Sequence, residues 1–506
     1  MSTTKPVASN ADIHHEVGAA ALQLPADEIR SFGYAVIDAI VDHLSSLREQ
    51  PTSRWADRPT MDARMWETAP EKGSDPRDVL ARTLRDILTD GHRNSHPRYF
   101  GYVPNPSNYV GAMADALASG FNVFSGMWMG SPGAAETELL VTEWMRDWCG
   151  LPGAGGGILL SGSSMANLVG IATARHARFG HDAETARQGT IYYSDQAHSS
   201  VGKGARMIGI GPDRIRRLPS DAEFRLSIDA LRDAVHADRS AGLQPYCVVA
   251  AAGTTNTGAI DPLPELADFC AAEGIWLHAD GAFGAAAVLS HDGKRRLAGL
   301  ERVDSLALDA HKWLFQPIEC GCLLVRDVRK LREAFHERPE YLRDADTADA
   351  EVNFCDLGPQ LTREFRALKL WMSIQVFGME AFRAAVERGI ALAELAEREL
   401  RTAGIWEIVT PAQISVVTFR YAPDHLTAQQ ISTLNAQIAH ATLEDGYAAL
   451  STTELHGQTV LRMCVTNPRA AEAEISETVR RLGVYAMESL AEIERSLVRQ
   501  LPDFGR

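Results

Sequence analysis

At 506 residues, 45% hydrophobic and 23% charged, the chain is longer than one ordinary domain and can bury a large core with smaller subdomains. A formal net charge of -16 argues against a nucleic-acid-binding surface, which needs clustered Lys and Arg. No apolar run reaches the roughly 18–20 residues of a membrane span, and the polar N-terminus MSTTKPVASNADIHHEV lacks the apolar stretch of a secretory signal.

Residues 1 to about 24 read as a disordered lead. EIRSFGYAVIDAIVDHLSSLREQ then places apolar residues at helical spacing, so a helix is expected over about 27–49. The stretch 51–75, rich in Pro, Asp and Arg, reads as an irregular arm, and a second amphipathic helix follows near 76–90. Together, residues 1–108 form a helical arm with little core of its own, which must pack on the rest of the chain or on a partner subunit.

Over 109–385 the pattern becomes strand–helix alternation. GGILLSG, TIYYSD, YCVVAA, IWLHAD and SLALD are short, nearly continuous apolar runs separated by helical segments such as LPELADFCAAEG. Such runs are expected of a mostly parallel sheet covered on both faces, an α/β domain that gathers ligands at the carboxyl ends of its strands. A long helical stretch around 363–404 leads into strands near IWEIV, ISVVTFRY and TVLRMCVTN, so 386–506 reads as a smaller α+β domain. The seven cysteines, an odd number spread from Cys149 to Cys464, do not suggest a disulfide framework, and a reducing cytoplasm fits them. Cys320 and Cys322 in CGCLLV share a strand face without a second Cys or His pair, which favours core packing over a metal site.

Four strand ends finish with polar groups. Gly162, Ser163 and Ser164 open a helix, where free N–H groups and hydroxyls suit a phosphate, although Gly and Ser there are more often a plain cap. His198 in SDQAHSS is, alone, an ordinary loop histidine. Asp280 ends IWLHAD, where a carboxylate needs a partner or water; Asp309, His311 and Lys312 follow SLAL. The ordered set supplies the parts that pyridoxal phosphate requires: an anion nest, a ring-stacking group, a carboxylate for the ring nitrogen and an amine for the aldehyde.

HPRYFGYVPNP, SDQAHSS, GTTNTGAIDPL, IWLHADGAFG, DSLALDAHKWL and REFRALKLW occur in this order. With them the chain resembles, from about Asp27 to about Ala491, the group II pyridoxal-phosphate decarboxylases of fold type I. That family includes aromatic L-amino acid, histidine, tyrosine and glutamate decarboxylases. The resemblance implies Lys312 as the Schiff-base lysine, Asp280 as the partner of the ring nitrogen, and His198 stacked on the ring. It puts Thr255 and Ala282 near the cofactor, and Ser163, Ser164, Asp309 and His311 around its phosphate. Two departures stand out. The GSSMAN turn is one residue shorter than in aromatic decarboxylases, and Asp309 stands where several relatives have Asn; an Asp there would repel phosphate and is expected to orient backbone or His311 instead.

The resemblance further implies that a Tyr on a mobile loop protonates the substrate carbon, and Tyr341 in the charged segment HERPEYLRDADTADAEVNF fits. Related aldehyde synthases replace either this Tyr or the His. The family's side-chain pocket maps onto Tyr102, Val103, Pro104, Asn105, Trp128 and Thr362, with Val103 in place of Phe and Asn105 in place of a small hydroxyl residue. Trp128 is expected to approach the pocket across a dimer interface. Thr362 sits where Gly marks indolic and Ser marks phenolic or imidazole substrates, so its hydroxyl favours a phenolic or other polar ring. The expectation is decarboxylation of an L-amino acid by a homodimer whose active site lies at the interface. An aldehyde synthase or other lyase, and an inactive cofactor-binding scaffold, are the rival readings.

Overall fold

The computed structural model describes residues 22–337, 340 and 351–500. It divides into two compact units, one up to Arg93 and one from Asn94 onward.

In the first unit, helix α1 (Ala26–Ser45) opens with Asp27 and Glu28, whose charges suit a helix N-terminus. It buries none of its residues and exposes Ile29, Tyr34 and Val41. Helix α2 (Arg58–Met65) lies inside the stretch expected to be irregular. Asp57 caps it by accepting from the Thr60 N–H, and Pro59 sits in its first turn, where a missing N–H costs nothing. Part of the composition that suggested an irregular arm is capping chemistry. Helix α3 (Pro76–Arg82), capped by Asp75, runs on into a wider turn over Thr83–Ile87, shorter than the helix expected near 76–90.

The second unit is built on a seven-stranded sheet. Its strands are β1 (Gly156–Leu160), β2 (Gly189–Ser194), β3 (Ile215–Leu218), β4 (Gln244–Ala251), β5 (Trp276–Asp280), β6 (Ser305–Asp309) and β7 (Gly321–Val325). The spatial order is β1-β7-β6-β5-β4-β2-β3. Pairings from β6 through β5, β4 and β2 to β3 are parallel, and β7 runs antiparallel to both β6 and β1. Six strands therefore end on the same edge, where the loop leading into β7 also arrives. Apart from β3, the strands are almost wholly buried, which is why their sequences are apolar without alternation.

A second sheet of β8 (Trp406–Gln413), β9 (Val416–Tyr421), β10 (Ser451–Leu455) and β11 (Gln458–Cys464) is antiparallel, in the order β8-β9-β11-β10. β10 escaped the sequence reading because STTEL is a polar, half-exposed edge strand with a single buried residue. The long helix Ala367–Ala403 breaks at Gly378 (φ 70°) and shares a core with this sheet and the helix Glu472–Gln500. All seven cysteines are free, and all but Cys355 are buried; Cys320 and Cys322 belong to the main core. Among the described residues no helix is long and apolar enough to cross a membrane, and no group of His, Cys, Asp or Glu could hold a metal ion.

Candidate active site

Asp280 ends β5 beside β6, in register with Ala307, and is 7% exposed. Both carboxylate oxygens have partners: Oδ2 accepts from Asn167 Nδ2 at 2.9 Å, and Oδ1 from the Ala282 N–H at 3.1 Å. Both donors are neutral, and no cation pairs with this carboxylate among the described residues. A buried charge without a cationic partner is costly unless something positive completes it.

The turn after β1 leaves Gly162 at φ 130°, a conformation that L side chains rarely adopt, and opens the helix Ser163–Phe179. Close approach also demands glycine opposite: a Cβ on Gly321 would lie 2.3 Å from the Gly162 Cα. Ser163 presents its N–H to Asp309 Oδ1 at 2.6 Å, while its buried hydroxyl has no hydrogen-bond partner. Ser164 is exposed. Asp309 Oδ2 in turn meets Lys312 Nζ at 2.9 Å and lies 3.7 Å from His311 Nε2. Asp309 thus faces a backbone N–H, the Lys312 ammonium and the His311 imidazole. His311 Nδ1 accepts from the Cys320 N–H at 3.2 Å, and burial lowers the imidazole pKa. Lys312 remains 25% exposed at its side chain.

Ala282 joins the two strand ends, because its N–H caps Asp280 and its carbonyl accepts from the Asp309 N–H at 2.9 Å. His198, exposed in this chain, caps the helix Ser199–Met207: its Nδ1 lies 2.8 Å from Ser200 Oγ and accepts from the Ser200 N–H at 3.3 Å. Thr255 is exposed on the loop after β4, which Asn256 ties to the His198 loop by donating to Gln196 Oε1 at 3.1 Å.

The expected pocket residues fall into two groups. Tyr102 (φ 50°), Val103, Pro104 and Asn105 lie on a segment held at several points. Arg462 donates to the Tyr102 carbonyl, Thr466 to that of Pro104, and Asn108 to that of Phe315, three residues beyond Lys312. Trp128 and Thr362 belong to a second neighbourhood: Ser125 donates to the Arg363 and Glu364 carbonyls, and Asn353 Oδ1 accepts from the Trp128 N–H. Within one chain no described contact joins the Trp128 or Thr362 side chain to the Lys312 cluster. Tyr341 lies outside the described residues.

Four residues at the site were missed by sequence reasoning. Asn167 is fully buried, touches Asp280, and places Oδ1 2.9 Å from His278 Nε2. His278 Nδ1 is 2.7 Å from Ser305 Oγ, and Asn167 Nδ2 also reaches Ser200 Oγ at 2.9 Å. The available signals were spacing alone: His278 shares a strand face with Asp280, and Asn167 lies one helical turn beyond Ser163.

An unsatisfied buried hydroxyl at a helix N-terminus, a buried carboxylate lacking a cation and a lysine at the neighbouring strand end fit pyridoxal phosphate. Residues 59–422 match the pyridoxal-dependent decarboxylase conserved domain. The chain belongs to this family. The decarboxylase is 43% identical to an aromatic-L-amino-acid decarboxylase of Bacillus atrophaeus, over 92% of this chain and 97% of the relative. It is 36% identical to a tyrosine decarboxylase of Oryza sativa subsp. japonica, over 79% of this chain and 78% of the relative. Among solved structures, Oryza sativa TDC with PLP and tryptamine superposes with a TM-score of 0.87 at 29% identity, covering 92% of the decarboxylase and 99% of that chain. The decarboxylase is a carboxy-lyase that depends on pyridoxal phosphate, with a fold type I architecture.

Proposed function

We propose that the enzyme converts an aromatic L-amino acid to its amine and carbon dioxide, using Lys312, Asp280, His198 and Tyr341. The buried, cation-free Asp280 carboxylate carries this reading. When bound, pyridoxal phosphate would supply an aldehyde reactive toward an amine and a ring able to act as an electron sink. Asp280 holds a proton on the ring nitrogen, which keeps the ring an effective electron sink. A neighbouring opposite charge shifts a pKa by roughly 1–3 units, about 1.4 kcal/mol each. Lys312 Nζ, ion-paired with Asp309, would hold the cofactor through its aldehyde. The Ser163 hydroxyl, Ser164 and His311 would hold the phosphate, His198 with Thr255 and Ala282 would hold the ring, and Tyr341 would supply the proton for Cα.

The substrate reading rests on the named relatives together with Thr362, whose hydroxyl suits a polar ring. Tyr102, Val103, Pro104 and Asn105 line the side-chain pocket from the same chain, and Trp128 reaches it from a second copy. The separation of Trp128 from the Lys312 cluster within one chain supports that division. A homodimer is further supported by the uncovered apolar residues of α1 and by exposed Phe121, Met129, Ile318 and Val376. The enzyme works in the cytoplasm, where its free thiols stay reduced.

A panel of amino acids scored for carbon dioxide, amine, aldehyde and oxygen uptake tests the proposal. The expected result is stoichiometric amine and carbon dioxide from tyrosine or another aromatic substrate. Aldehyde, ammonia and peroxide with oxygen uptake would reassign the enzyme as an aldehyde synthase. A cofactor band without turnover of any amino acid would mark a scaffold.

A further inference from the structure

Asp280 and His198 follow different strands, yet Asn167 touches the hydrogen-bond systems of both. Its amide nitrogen faces Asp280 Oδ2 and Ser200 Oγ, each at 2.9 Å, and its oxygen faces His278 Nε2 at 2.9 Å. The network has ends of fixed polarity. Trp276 Nε1, 2.8 Å from Ser305 Oγ, can only donate, and the ionised Asp280 can only accept.

Between these ends one arrangement satisfies every group. Trp276 donates to Ser305, the Ser305 hydroxyl to His278 Nδ1, and His278 Nε2–H to Asn167 Oδ1. The Asn167 amide then donates to Asp280 and to Ser200, which frees the Ser200 hydroxyl to donate to His198 Nδ1 at 2.8 Å. Turning the Asn167 amide over would set its carbonyl oxygen against the Asp280 carboxylate, acceptor against acceptor. Burial pushes the His278 pKa down to about 3, so this ring carries a single proton, consistent with the Nε2–H assignment.

We propose that Asn167 is a positioning residue that couples the two groups, holding the Asp280 carboxylate and, through Ser200, directing a hydrogen bond at His198 Nδ1 so that the ring proton sits on Nε2. The Ser200 N–H, also directed at His198 Nδ1, reinforces this tautomer. The functional importance of the coupling rests on the roles proposed above for Asp280 and His198. The wiring is made by the chain's own side chains, so the two ideas fail separately.

The test is ¹⁵N NMR of the full-length, histidine-labelled protein, with and without pyridoxal phosphate, using His198→Gln to assign the signal. His198 is expected to show an unprotonated Nδ1 and a protonated Nε2 in both states; a proton on Nδ1 overturns the proposal even if the cofactor binds normally. Ser200→Ala should shift the His198 Nδ1 signal while leaving His278 and cofactor affinity within about twofold of wild type. An unmoved His198 signal contradicts the proposal. Asn167→Ala should perturb His198 and also lower kcat about tenfold or more, the scale of a lost hydrogen bond to a charged group, with KM within about twofold. A raised KM at unchanged kcat would contradict a role in the reacting state. If Asn167→Ala does not fold, the wild-type tautomer and Ser200→Ala still decide the proposal.

Discussion

Helix α1 buries none of its residues and leaves Ile29, Tyr34 and Val41 uncovered, whereas β5 and β6 are buried almost throughout and end in carboxylates that accept hydrogen bonds from Asn167, Ala282 and Ser163. The contrast separates two kinds of information. The strand-end carboxylates are held by neighbouring backbone and side-chain groups, so changes there should alter catalysis more than assembly. Uncovered apolar residues on a helix suit the proposed dimer interface, and changes there should do the reverse.

The largest effect should come from Asp280→Asn. This variant is expected to fold, dimerise and bind cofactor while losing roughly 10- to 1000-fold in kcat, the equivalent of 1–3 pKa units. Steady-state kinetics with a cofactor absorbance spectrum checks it, and near-normal activity would remove the role assigned to this carboxylate.

Next comes the pH dependence of stability through His278. Burial lowers its folded pKa from 6.5 to about 3, so the unfolded chain binds the extra proton first and the neutral His278 contributes most above pH 6.5. That contribution is lost as pH falls from 6.5 toward 3. Asp261, raised to about 6 by burial, works in the opposite direction as pH falls from about 6 toward 3.8, so wild type alone gives a mixed profile. The difference between wild type and His278→Gln isolates the histidine. It should shrink by about 2 kcal/mol between pH 7.5 and pH 5 in urea midpoints; a constant difference would contradict the buried neutral state.

A smaller effect is expected from Ile29→Asp with Val41→Asp on α1. Sedimentation should shift toward monomer at micromolar concentration, with the strand-end network intact. An unchanged dimer would place the interface elsewhere. Smallest is Thr362→Gly, expected to alter the ratio of kcat/KM between tyrosine and tryptophan by about 10- to 100-fold in favour of the indole, measured by competition.

The same division explains what could be read from the sequence. Asp280, Lys312, His198 and the Gly162 turn each end or follow a short apolar run, so local pattern marked them as strand-end polar groups, and their order and the family resemblance gave them expected roles. Asn167 and Ser305 act through residues more than 100 positions away in Asn167–Asp280 and across two adjacent strands in Ser305–His278, and only the sheet order reveals such contacts. Helix α2 was hidden because Asp57 and Pro59 serve helix capping as readily as irregular chain. β10 was hidden because an edge strand need not be apolar.

The central claim is that one lysine at the end of β6 bonds the cofactor's aldehyde. Borohydride reduction of the cofactor-loaded enzyme, followed by peptide mapping, tests it directly. The label should be found on Lys312 and be absent from Lys312→Ala; label on another lysine, or none at all, would contradict the account.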